Sequence, residues 1–276
     1  MTKLMLNAKS KLSLDSVISK LPQSLLLTGE VGVGLGTIAK YIAEQNSPDV
    51  TIVLPEYKEK VDLDKGTIGV EIIRRLYEQT RTKTLTKQIF IIDYAERMAT
   101  RAQNAFLKLL EEPGENTYFI LTTHTPQKLL PTITSRVSAV NFLPISLQQS
   151  NKLIDSLGNI DDKKRNQLLF MAQGLPAELI RLATDDEYFE KRGTVVRDAR
   201  EMLRGRLYQK LLIAHKYKDS RTDALLLVQD IAKIIKRSIV DKPQASTISH
   251  IDSVINTYQR IEANGNIRLC LTRLVL

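Results

Sequence analysis

Short runs of consecutive apolar residues alternate with amphipathic stretches through the first half of the chain. Ser24-Leu25-Leu26-Leu27-Thr28 runs apolar into a glycine cluster, and Ile38-Ala39-Lys40-Tyr41-Ile42-Ala43 follows with helical spacing. Val50-Thr51-Ile52-Val53-Leu54 is a β-branched strand halted by Pro55. Gln88-Ile89-Phe90-Ile91-Ile92 and Tyr118-Phe119-Ile120-Leu121-Thr122 are continuous apolar strands, the kind buried on both faces of a parallel sheet. A helix is expected from Thr67 to Tyr77, with Ile68, Ile72, Ile73 and Leu76 along one side. Strands alternating with helices predict a doubly wound α/β domain.

Between the last two strands the pattern is helical without ambiguity. Thr100 and Gln103 have capping-box spacing, Ala102, Ala105, Phe106, Leu109 and Leu110 recur on one face, and Pro113-Gly114 ends the run. After Pro144 strand-like runs cease. Two or three short helices are expected from Leu147 to Leu182, broken near Gly158 and at Gly174-Leu175-Pro176. From Tyr188 onward the pattern is helical, with a loop near Asp241-Lys242-Pro243 and a turn at Asn264-Gly265-Asn266. The expected domains are 1–144 (α/β), 145–187 (small helical) and 188–276 (all helical).

Composition narrows the class. The 276 residues are 43% hydrophobic and 26% charged, ordinary for a soluble globular protein, and no apolar run approaches the ~18 residues of a membrane span. The opening ten residues, Met1 to Ser10, are too poor in apolar residues and too interrupted by charge for a signal peptide. One cysteine, Cys270, excludes internal disulfides and cysteine-cluster zinc sites, so no metal is expected and the cytoplasm is the expected compartment. The net charge of +9 makes a polyanionic partner plausible. Residues 188–276 hold 17 Lys and Arg against 9 Asp and Glu, so most of that excess lies in the last third, where solvated helix faces are the plainer reading.

The chemistry-bearing segment is Gly29-Glu30-Val31-Gly32-Val33-Gly34-Leu35-Gly36-Thr37, set between a strand and a helix. A phosphate-binding loop needs G-x-x-x-x-G-K-[ST] in that context. Gly29 and Gly34 satisfy the glycine positions. Leu35 stands where lysine reaches the β- and γ-phosphates, Gly36 where a hydroxyl ligates Mg²⁺, and Thr37 comes one position late. The loop is therefore a vestigial cradle or a plain tight turn. A dinucleotide fingerprint fails because Thr37 replaces its last glycine and no acidic residue is suitably placed. The strand Ile89-Phe90-Ile91-Ile92-Asp93-Tyr94 has the aspartate of a metal-holding strand end, but tyrosine where the water-activating acid belongs. Both defects predict a chain that does not hydrolyse ATP and needs no cofactor.

These segments, taken in order, resemble the clamp-loader branch of the AAA+ ATPases, and within it the delta-prime subunits of bacterial DNA polymerase III. Ile91 to Met98 resembles the family's strand-end motif, and Ala102 to Pro113 its most distinctive stretch, ending Leu110-Glu111-Glu112-Pro113. Leu121-Thr122-Thr123 falls at the sensor-1 strand, Leu130 to Arg136 resembles the Ser-Arg-Cys region with Val137 for the cysteine, and Gly174-Leu175-Pro176-Ala177 lies at the sensor-2 position without its arginine. Asn264 to Leu269 resembles the entry to the last collar helix. The resemblance spans essentially the whole chain, although the four-cysteine zinc module of many relatives is missing.

What the resemblance implies is an AAA+ P-loop-type domain, a helical lid and a helical collar. It further implies a hetero-pentamer with motor and opening subunits that opens a sliding clamp and closes it on primed DNA. A delta-prime-like member would be a stator without ATPase activity, lending an arginine finger to a neighbour, here Arg136 beside Ser135. A surface pairing of Arg136 with a carboxylate is the plainer alternative. Arg97 and Arg101, around the start of the helix after Thr100, are candidates for sequence-independent contact with DNA phosphates; for Arg101 an ordinary exposed helix start is equally open. An active motor of the gamma/tau kind, or another AAA+ ATPase, remains the competing reading. Adjacent Glu111 and Glu112 point about 100° apart on a helix and do not form a convergent acid pair, and His124, His215 and His250 show no metal-ligand spacing.

Overall fold

The computed structural model describes residues 4–63, 65–81, 86–241 and 245–275, which divide into two compact units at 183/184. In the first unit the order is α1 (Ala8–Ser19), β1 (Ser24–Gly29), α2 (Leu35–Asn46), β2 (Asp49–Val53), a hairpin of β3 (Glu56–Tyr57) and β4 (Lys60–Val61), α3 (Val70–Thr80), β5 (Gln88–Ile92), α4 (Thr100–Glu111), β6 (Thr117–Thr123), α5 (Pro131–Thr134) and β7 (Ser138–Phe142). Three helices follow, α6 (Leu147–Ser156), α7 (Asp162–Ala172) and α8 (Pro176–Thr184). The second unit contains α9 (Asp186–Arg204), α10 (Leu207–Lys216), α11 (Arg221–Asp241), α12 (Ala245–Glu262) and α13 (Ile267–Val275).

β2, β5, β6, β1 and β7 form one parallel sheet in that order. Its three central strands, β5, β6 and β1, read as apolar runs because successive side chains go to opposite buried faces, whereas the edge strands β2 and β7 are largely exposed. Leu26, Phe90, Ile92, Phe119 and Leu121 face the core shared with Ile73 and Leu76 of α3 and Phe106 and Leu109 of α4. Leu25, Leu27, Ile89, Ile91 and Ile120 face the other, shared with Leu14 of α1 and Ile38 and Ile42 of α2. Phe106 meets Phe119 edge to face, centroids 5.2 Å apart, which fixes α4 against the middle of the sheet. Gly29, Asp93 and Thr122 all lie at the carboxyl ends of strands, the edge where open α/β sheets bind ligands.

Two expected details are corrected. The helix expected from Thr67 begins at Val70, because Ile68 is extended and bridges Met98. The expected capping box does not form. Ala99 is the cap, Thr100 is the first helical residue, and no side chain caps α4. The Gln103 side chain, 4% exposed, instead makes tertiary bonds. Its amide donates to the carbonyls of Met98 (3.1 Å) and Lys128 (3.2 Å), and its oxygen accepts from the Leu130 amide (2.8 Å). Lys242 and Pro243 of the expected loop lie outside the described residues.

The second unit has its own core, in which Val195 and Ala199 of α9, Leu227, Val228 and Ile231 of α11, and Leu271 of α13 take part. Within it Arg192 of α9 pairs with Asp230 of α11 at 3.0 Å, both side chains almost wholly buried. Among the described residues no helix is long and apolar enough to cross a membrane.

Candidate functional site

β1 delivers the chain into the glycine loop at Gly29, and Gly32 (φ +96°) and Gly34 (φ +94°) take backbone conformations that side chains disfavour. A productive phosphate cradle presents backbone N–H groups to an anion. Here protein packs against the loop from α8. The carbonyl of Gly32 accepts hydrogen bonds from the backbone amides of Ala177 (2.9 Å) and Glu178 (3.1 Å). Those amides belong to the first turn of α8, where a helix leaves donors without intrahelical partners. The approach is close: a Cβ on Gly32 would lie 2.8 Å from Cβ of Glu178, and one on Gly34 would lie 3.4 Å from Cβ of Ala177.

Leu35, at the lysine position, is the first residue of α2, 2% exposed, and packs in the core with Leu25 and Leu27 of β1. Gly36, at the hydroxyl position, faces Asp93, and a Cβ there would meet Asp93 Oδ2 at 2.8 Å. Thr37 is exposed and lines a cleft with Lys40, Glu44 and Asp93. The Asp93 carboxylate accepts the Thr122 hydroxyl, which in turn accepts the Tyr94 amide at 3.1 Å. One carboxylate oxygen of the acid at the strand end is thus bonded to β6, and the other faces Gly36.

Tyr94 stands in the left-handed region (φ +56°) beside that carboxylate. Burial, then the charges of Asp93 and Glu96, push its phenol above the usual tyrosine range. A phenol that holds its proton this firmly is no general base near neutral pH. Its ring meets that of His124 edge on at 5.8 Å. His124 Nδ1 lies 2.8 Å from the Gly29 carbonyl, which assigns the proton to Nδ1, and the His124 amide donates to Glu96 Oε1 at 3.2 Å. His124 therefore ties the end of β6 to the start of the glycine loop. Only its position just past β6 hinted at this. Among the described residues no group of histidine, cysteine and acidic side chains is arranged to hold a metal ion.

Arg136 is placed at the other end of α4. Its NH2 group pairs with Glu111 Oε1 at 2.9 Å and its NH1 group donates to the Thr132 carbonyl at 3.0 Å. Both side chains remain open to solvent, Arg136 at 40% and Glu111 at 51%. The Ser135 hydroxyl donates to the same Thr132 carbonyl at 3.1 Å. At the start of α4 Arg101 is exposed, while Arg97 donates to the Gly66 carbonyl at 3.3 Å. The structure thus gathers Gly29, Gly32, Gly34, Gly36 and Asp93 at one sheet edge, with Leu35 turned into the core beneath them. Arg97 and Arg101 flank one end of α4, and Arg136 meets the other.

Comparison with known proteins gives the chain a setting. Residues 36–146 match the family model described as "DNA polymerase III, delta subunit". The chain is 25% identical over 264 residues to the DNA polymerase III subunit delta' of Bacillus subtilis, covering 86% of this chain and 78% of that protein. It is 34% identical over 110 residues to the same subunit of Yersinia pestis, covering 39% of this chain and 31% of that one. Among solved structures, a DNA polymerase III gamma subunit-related protein of Thermotoga maritima superposes with a TM-score of 0.58 at 21% identity, over 95% of this chain and 96% of that one. That likeness shows that the two chains share a fold.

Proposed function

We propose that the chain is an AAA+ protein of the DNA polymerase III clamp-loader type, and that within such a loader it is a stator that hydrolyses no ATP itself. The observation that carries this reading is the docking of α8 on the glycine loop, with Ala177 and Glu178 donating to Gly32. Phosphoryl transfer is catalysed by positioned charge: a lysine and Mg²⁺ on the phosphates and an acid orienting water. Leu35 lies in the core, Gly36 has no hydroxyl, and Tyr94 is a proton-holding phenol where that acid belongs. The remaining anion-attracting element, the loop backbone, turns a carbonyl to α8.

A chain of this kind serves a machine powered by its neighbours. In the proposed assembly it joins motor and opening subunits in a hetero-pentamer in the cytoplasm, helping to load the sliding clamp onto primed DNA. Arg136 is the proposed finger: a guanidinium is charged at every relevant pH and forks onto phosphate oxygens, as stabilising a neighbour's γ-phosphate requires. Its solvent exposure supports the role. Arg97 and Arg101 are the proposed contacts to DNA phosphates, with Arg101 the more open of the two.

The direct test is nucleotide binding and turnover by the purified chain. No saturable Mg-ATP binding and no steady hydrolysis are expected. Submillimolar affinity together with sustained turnover would defeat the stator reading in favour of a motor.

A further inference from the structure

We infer that Glu111 is a positioning residue for Arg136, holding the guanidinium in the plane and direction from which it reaches a neighbouring subunit's nucleotide. The inference rests on the proposed finger role of Arg136. Three observations carry it.

The first is how α5 is mounted. This four-residue helix and the turn after it carry Ser135 and Arg136, and too few residues are present to hold a fixed attitude alone. α4 fastens the segment at both ends. Gln103, near the start of α4, accepts from the Leu130 amide just ahead of α5. Glu111, the last residue of α4, takes Arg136 just after it. Between the two, Ile133 is fully buried against the core that holds Phe106 and Leu109.

The second is the geometry at the guanidinium. NH2 goes to Glu111 and NH1 to the Thr132 carbonyl, so two separate acceptors fix the plane. Each terminal nitrogen bears two hydrogens, so each keeps one N–H for a further acceptor. The group is anchored without being used up.

The third is that Glu111 is badly placed for its own helix. Carboxylates disfavour a helix C-terminus, where unpaired carbonyls carry partial negative charge, and Glu112 follows immediately. The helix gains nothing from an acid there. Arg136 supplies the compensating charge.

Positioning is favoured over restraint by the exposure of the pair. A solvated ion pair is weak, too weak to hold a finger back from a triphosphate. It is enough to bias side-chain rotamers in advance.

The test uses the complete loader reconstituted with its ATP-hydrolysing subunits. Steady-state ATP turnover is compared for the unaltered chain, Glu111→Gln, Glu112→Gln, Arg136→Ala and the double variant Glu111→Gln/Arg136→Ala. Glu111→Gln is expected to lower kcat roughly two- to fivefold, with the KM for ATP and the thermal unfolding of the chain unchanged. Glu112→Gln is expected to have no effect, and the double variant to match Arg136→Ala. Unchanged or raised kcat in Glu111→Gln, with Arg136→Ala impaired, overturns the positioning role and leaves the finger intact. An equal loss in Glu112→Gln overturns it in favour of general charge. An Arg136→Ala complex of normal turnover removes the finger itself, and this inference with it.

Discussion

Gly32 and Ala177 lie at opposite ends of the first unit's sequence and are joined by a backbone hydrogen bond of 2.9 Å. The bond ties a carbonyl of the glycine loop to an amide at the start of α8, so the two cannot part to admit a nucleotide without breaking it. Restoring the missing side chains therefore does not restore the site. Asp93 also occupies the space over Gly36 that a new side chain would need. The triple variant Leu35→Lys, Gly36→Thr, Tyr94→Glu is expected to show no saturable Mg-ATP binding below about 1 mM by calorimetric titration. A submillimolar dissociation constant would mean that α8 leaves the loop easily.

The same contact makes a stability prediction. Gly32→Ala forces a methyl-bearing residue to φ +96° and drives its Cβ to 2.8 Å from Cβ of Glu178. Gly158 is also left-handed, at φ +124°, but a Cβ there meets nothing within 4 Å. Backbone strain alone costs about 1–2 kcal/mol, so Gly158→Ala measures that term by itself. Gly32→Ala adds displacement of α8 and is expected to lose about 1–3 kcal/mol more in urea unfolding. Equal losses would mean that α8 does not press on the loop.

Much of this fold is legible in the sequence because the central strands are buried on both faces and the helices on one. β5 and β6 announce themselves as Ile-Phe-Ile-Ile and Phe-Ile-Leu, and α4 by its regular apolar face. β7 escapes notice since Ser138–Phe142 is an edge strand, mostly exposed, with a mixed polar pattern. The β3–β4 hairpin turns through Lys58 and Glu59, both left-handed, where a turn of this kind is ordinarily signalled by Asn-Gly. Capping-box spacing misleads at Gln103 because a buried amide with three tertiary partners outcompetes a local cap. The losses at Leu35, Gly36 and Tyr94 stand in the sequence as substitutions in a motif. The loop's occupation by α8 and the Glu111–Arg136 pair depend on tertiary proximity, which no local spacing encodes.

In the second unit the buried Arg192–Asp230 pair joins α9 to α11 through an ion-pair contact of 3.0 Å and a hydrogen bond of 3.2 Å. Removing one partner strands a charge in a low-dielectric core, so Asp230→Ala is expected to cost about 3–5 kcal/mol. Replacing both by apolar residues of similar volume, Arg192→Met with Asp230→Leu, leaves only the part-exposed Lys233, 3.6 Å from Asp230, without that partner and is expected to be near neutral. Chemical denaturation of the three proteins checks the order. A double variant as unstable as the single one would mean that the pair is worth more than its desolvation cost.

Tyr217 makes stability in alkali a specific test of the same unit. Its hydroxyl donates to Asp198 Oδ2 at 2.7 Å, and Lys216 Nζ approaches the same oxygen at 2.6 Å. Burial first, then the bond to Asp198, push the phenol far above its ordinary value. A raised folded-state pKa means that the folded chain keeps a proton the unfolded chain gives up. The resulting stabilisation is whole below the unfolded value of about 10 and is lost as pH climbs beyond it, at up to about 1.4 kcal/mol per pH unit. Tyr217→Phe should lose about 1 kcal/mol at neutral pH through the missing hydrogen bond. It should also lack the steep alkaline loss, so the two stability curves converge as the pH rises past about 10. Denaturant midpoints measured between about pH 7 and pH 11 decide the matter: parallel curves would mean that Tyr217 gives up its proton as readily in the folded chain as in the unfolded one.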